Sequence, residues 1–235
     1  MNNNLNIFLD ELSADAVIPT TTTAVKIRPI TVKQIKDVVD NTLALPYFDI
    51  GFRQGAMSVF EANTTFNDGD ETSITEFDFN LLFPYLKYDG TYEDVPVRSF
   101  LEKPLNILEL ELKKEVKYKD FVFHFASPSL DILRQHQDYL ISKLDINDEQ
   151  QLENEQEVST IYYITELSKY VKSIIHNDTD ILLNQPIANR LEVIGNVPYQ
   201  VASQVLEFSD KLDKYVLSQL QYQDKTLSLD MSFFS

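Results

Sequence analysis

Three histidines, His124, His136 and His176, are the side chains best suited to general acid–base work or metal ligation in this chain. None has a recognisable metal partner at helical spacing. His124 sits in an alternating aromatic run, facing opposite to Phe123 and Phe125, which is the place of a structural or surface imidazole. Asp68, Asp70 and Glu71 around Gly69 offer oxygen ligands of the kind a hard cation takes. They do not complete a calcium loop, and in so acidic a chain they read as a solvated turn. There is no cysteine, hence no thiolate ligand, thiol nucleophile or disulfide. No nucleophile elbow, Walker sequence or dinucleotide fingerprint is present. The residues therefore name no catalytic site, no cofactor and no metal, and the expectation is a protein that works by binding other proteins.

The elements that would position any such site must be built from 235 residues, 43% hydrophobic and 11% aromatic, enough for one large domain or two small ones. Thirty-seven acidic residues against twenty basic ones give a formal charge of -17. That charge repels phosphate backbones and anionic lipid, so neither nucleic acid nor membrane is an expected partner. The basic residues do gather in two places. Lys26, Arg28, Lys33 and Lys36 form one group, and Lys113, Lys114, Lys117 and Lys119 the other, the latter interleaved with Glu109, Glu111, Glu115 and Asp120. Both read as solvated faces. Met1 to Leu12 lacks the basic residues and apolar run of a signal peptide, and no stretch has membrane-span length, so synthesis in the cytoplasm is expected.

The pattern along the chain gives an α+β fold, with a central β-hairpin or short antiparallel sheet, packed helices and a mainly helical carboxyl-terminal part. Residues 1–24 carry an Asn run and the Thr20–Thr23 tract and read as a mobile acidic arm. An α+β domain is expected over 25–144. In it Val25 to Pro29 forms a strand, and Thr31 with Gln34 forms a capping box that opens a helix from Val32. Tyr47 to Pro104, with prolines at 84, 96 and 104, reads as short strands and turns with one helix near Glu76 to Phe83. Leu108 to Leu112 alternates, and the alternation resumes through Val116, Tyr118 and Phe121 to Phe125 as a hairpin. Ser127-Pro128 then opens a helix carrying Leu130, Leu133, His136, Gln137 and Leu140 on one face. Residues 145–158 hold acids and no base and read as a linker. The last region, 159–235, has one helical stripe of Ile161, Ile164, Leu167, Val171, Ile174 and Ile175. A second runs through Val201, Val205, Phe208, Leu212, Val216 and Leu220, and the region closes on a short strand over Leu227 to Met231.

Val25-Lys26-Ile27-Arg28-Pro29-Ile30-Thr31-Val32-Lys33-Gln34-Ile35-Lys36 resembles the amino-terminal signature of the T4-like bacteriophage baseplate hub proteins, and Leu227, Leu229 and Phe233-Phe234 resemble that family's ending. These patches cover about a tenth of the chain. The resemblance implies a structural or assembly component of a contractile-tail phage baseplate, made in the host cytoplasm and placed in the virion, with other hub or wedge proteins as partners. A transient assembly chaperone absent from the mature particle is the alternative, and an acidic DNA mimic ranks below both. The residues expected at the interface are Arg28, Pro29, Thr31, Phe233 and Phe234. Exposed terminal aromatics make good anchors, but the same two rings can also fold back into the core.

Overall fold

The structure is a computed structural model that describes residue 7 and residues 9–44, 48–66, 73–103, 112, 114–144 and 155–234. The fold is α+β, with small antiparallel sheets among the helices. It divides into two compact units, Met1–Leu110 together with Lys214–Ser235, and Glu111–Asp213. These bounds differ from the expected ones at 25, 145 and 159, because the chain's last residues return to the first unit. The acidic linker lies outside the described residues from 145 to 154, and a helix is under way by Glu155.

In the first unit β1 (Ala14–Val17) pairs antiparallel with β2 (Ala24–Ile27), and β3 (Thr64–Phe66) lies along the other side of β2. Alternation points Ala14, Ala16, Val25 and Ile27 inward and Asp15 and Lys26 to solvent. The described residues of the expected arm are therefore ordered and not a free tail. Its short apolar residues alternate, Ile18 is fully buried, and Thr20 donates from its amide and hydroxyl to the carboxylate of Asp78 at 2.9 and 2.7 Å.

Thr31 opens α1 (Val32–Ala44) as expected: its hydroxyl accepts the Gln34 amide at 3.3 Å, while the Gln34 side chain accepts the Thr31 amide at 2.9 Å. The next helix, α2 (Phe48–Asn63), falls where short strands and turns were expected. Its apolar residues, Ile50, Ala56, Met57, Val59 and Phe60, spread over a wide buried face instead of a narrow stripe. Two glycines on it let α1 come close: a Cβ on Gly51 would lie 2.6 Å from the Asn41 carbonyl oxygen, and one on Gly55 3.0 Å from the Cα of Val38. A full capping box between Thr75 and Asp78 starts α3 (Glu76–Leu82), which runs into a 3-10 turn, Phe83–Lys87. The hairpin of β4 (Thr91–Tyr92) and β5 (Val95–Pro96) then leads to α4 (Val97–Leu101). After Lys214 the unit is completed by a hairpin, Gln221–Tyr222 with Lys225–Thr226, and by a 3-10 turn at Met231–Phe234. No strand forms over Leu227 to Met231. Residues 227–229 are irregular, Leu227 is buried, and Asp230 caps the terminal turn by accepting the Ser232 amide at 2.7 Å. The core is aromatic, with Phe60–Phe79, Phe79–Phe83 and Phe83–Phe233 ring centroids 5.3, 5.2 and 5.3 Å apart.

The second unit is centred on the expected hairpin, β6 (Glu115–Tyr118) and β7 (Phe121–Phe125). The alternating residues 108–111 lie outside the described residues. Ser129, not Ser127, caps α5 (Leu130–Leu144), its hydroxyl accepting the Ile132 amide at 3.3 Å. The five residues expected on one face of this helix are all buried. The first long stripe is the larger correction: α6 (Glu155–Tyr170) stops before Val171, and Val171, Ile174 and Ile175 belong to β8 (Val171–His176), which pairs with β7. These β-branched residues fit the pleated surface, and β7 gains its second ladder from them. A tight turn with both Asn177 and Asp178 at positive φ joins β8 to β9 (Thr179–Asp180). Next come α7 (Ile187–Gly195) and α8 (Tyr199–Gln219), the latter reaching beyond the unit at Asp213. Val201, Val205, Phe208 and Leu212 bury one face of α8 within this unit, as the spacing requires.

Candidate protein-binding surface

The expected interface residues are placed by a short extended link between β2 and α1. Pro29 fixes φ and removes one donor, and the amides on either side are held by main-chain acceptors: Arg28 donates to the Asn63 carbonyl at 2.9 Å and Ile30 to the Leu86 carbonyl at 2.8 Å. Pro29 and Ile30 thus lie against the 3-10 turn. They form one wall of a mainly apolar recess of about 270 Å3 that is lined also by Leu12, Ile35, Tyr85, Tyr88 and Phe234, with the charged Lys87 and Asp89 among its other residues. In a 3-10 turn residues three apart eclipse one another, and the Tyr85 and Tyr88 rings accordingly stack at 5.8 Å and 9°. Burial raises the Tyr85 phenol above its ordinary pKa.

The two sequence patches that carry the resemblance, some two hundred positions apart, therefore meet here through Pro29 and Phe234. The other three residues are occupied otherwise. Thr31 is spent on the α1 cap. Arg28 Nε donates to Asp10 Oδ1 at 2.6 Å. Phe233 takes the core alternative: it is fully buried, its ring lies 5.3 Å from that of Phe83, and its carbonyl accepts from Lys87 Nζ at 2.9 Å. Phe234 is half-buried. Sequence reasoning missed Tyr85 and Tyr88. Their signal is the pair of tyrosines three apart just after Pro84, which reads as ring stacking only once the turn is known to be 3-10.

The histidines do not meet. His124 Nδ1 lies 3.9 Å from Glu115 Oε2 on the neighbouring strand, and His176 stacks on Phe121 at 4.4 Å and 17°. His136 is buried. Its Nδ1 lies 2.7 Å from the Ile132 carbonyl, which can only accept, so Nδ1 carries the proton and Nε2 accepts from the Ser168 hydroxyl at 3.1 Å. Ser168 in turn accepts from Arg190 Nε at 3.3 Å. This histidine–serine pair is sealed from solvent, and burial pushes His136 down to about 4. Among the described residues no group of three or more His, Cys, Asp or Glu is placed to hold a metal, and Asp68, Asp70 and Glu71 lie outside them. No described helix is long and apolar enough to cross a membrane. Comparison of the chain with protein-family models, with curated proteins and with solved structures finds no match.

Proposed function

We propose that this protein is a structural or assembly component of a contractile-tail phage baseplate, in its hub region, and that it acts through protein–protein contact without catalysis. It is made in the host cytoplasm and takes its place in the virion beside other hub or wedge proteins. The observation that carries this reading is the convergence of Pro29, Ile30 and Ile35 with Phe234 on one apolar recess, since these residues come from the two patches that resemble the hub family. A concave apolar surface walled by aromatic rings is the kind of place that receives a partner's anchor residue. The acidic surface supports the same reading, because like charge keeps free subunits apart and steers them toward basic partners.

The test is affinity purification of the tagged chain from infected cells, with the protein content of purified virions measured alongside. The expected result is co-purification with baseplate proteins and presence in the particle. Co-purification with absence from the particle points to the assembly chaperone, and recovery without any baseplate protein overturns the proposal.

A further inference from the structure

A second recess of about 260 Å3 opens in the same unit, walled by Phe52, Phe83 and Met231, with Asp49 and Asp230 also lining it. Its accessible aromatic wall is Phe52, which is half-buried and lies 6.0 Å from the Phe234 ring, while Phe83 is fully buried and lies 6.1 Å from that same ring. Asp49 stands in the first turn of α2 and is exposed. Asp230 is oriented by the Ser228 hydroxyl and the Ser232 amide, which hold its carboxyl below the usual range. One cation, Arg53, also lines the space, but it is paired with Glu76, whose side chain is almost wholly buried. The charge of Arg53 is therefore matched from within, and the carboxylates of Asp49 and Asp230 leave the recess negative.

Apolar walls beneath two carboxylates repel a phosphate or a carboxylate and suit a side chain with an apolar stem and a cationic tip. A planar guanidinium fits best, since it stacks on an aromatic face while presenting paired N–H donors to a carboxylate. We propose that this recess receives an arginine side chain from a basic segment of a binding partner. The inference rests on the reading of the chain as a protein-binding subunit and adds the chemistry of what it binds. The formal charge of -17 makes a basic segment the partner that its field attracts.

The experiment titrates the isotope-labelled full chain with three blocked tripeptides, acetyl-Gly-Xaa-Gly-amide, in which Xaa is arginine, citrulline or norleucine, and follows backbone amide shifts. The arginine peptide should move the amides of Phe52, Arg53, Asn80 and Met231, and its neutral isostere citrulline should not. Asp49→Asn with Asp230→Asn should weaken the arginine response about tenfold or more in a chain that stays folded. Asp15→Asn with Asp94→Asn removes the same charge elsewhere on the unit and should leave the response intact. Equal responses to arginine and citrulline, shifts away from the recess, or an equal loss in the control pair overturn the proposal. The citrulline comparison uses the unmodified chain, so it decides even if the recess variant does not fold. No phage protein enters the titration. Its failure leaves the baseplate reading standing, and failure of the co-purification leaves the recess standing.

Discussion

Asp78 is fully buried, and its carboxylate accepts from the Thr20 amide and hydroxyl and from the Thr75 amide and hydroxyl at 2.7–3.1 Å. Four donors replace the water that burial removed, and two of them come from the segment that composition alone assigns to a free arm. Asp78→Asn keeps the shape but turns one acceptor into a donor facing donors, and should cost about 2–3 kcal/mol in denaturant unfolding. Phe233 and Phe234 form a second contrast. Phe233→Ala empties a sealed site and should cost about 3–5 kcal/mol, whereas Phe234→Ala should cost clearly less and act chiefly on partner capture. Equal losses of stability would place Phe234 in the core and remove it from the interface. His136 adds a pH dependence. Its folded value of about 4 lies below the unfolded value near 6.5, so the unfolded chain takes up the proton first. Its contribution is complete above about pH 6.5 and is lost as pH falls toward 4. Unfolding free energy should drop by about 2 kcal/mol between about pH 7.5 and about pH 5 from this group, and His136→Gln should flatten that interval.

At the level of elements, the close approach of α1 and α2 sets a sign opposite to the usual one. Alanine at a helical glycine generally stabilises, by up to about 1 kcal/mol. At Gly51 the new methyl would meet main-chain oxygen, so Gly51→Ala should lower the melting temperature, and an increase would show that the helices can separate freely. The same elements show what a sequence reveals. The Thr31–Gln34 box and the single-stripe helix after Asn196 were legible because caps and 3.6-residue spacing are local signals. The break after Tyr170 was not, because Val171, Ile174 and Ile175 continue the helical spacing while their β-branching suits a strand, and only β7 decides between the two. The recess followed the same rule: Pro29 and Phe234 were nameable one by one, but their meeting depends on a tertiary return that no local pattern encodes.

For the whole molecule, a charge of -17 means that folding concentrates like charge. The described ion pairs are mostly exposed, as with Lys36–Asp40 and Lys117–Glu115, and contribute little each. Screening should therefore relieve more repulsion than it removes attraction. The melting temperature should rise when NaCl is increased from about 0.01 M to about 0.15 M, over which the screening length falls from about 30 to about 8 Å. A fall instead would show that the ion pairs dominate.

The burial of Phe233 against Phe83 also has a consequence in time. A chain made from its amino end completes Glu111–Asp213 as one uninterrupted stretch, but its first unit stays short of a core ring until Phe233 has been joined. The part synthesised first is thus the part finished last. Ribosome-bound chains that run to Asp230 and then carry an unstructured tether long enough to clear the exit tunnel should already protect the middle stretch from protease while residues 1–110 remain cleavable, and the same chains extended through Phe234 before the tether should close that difference.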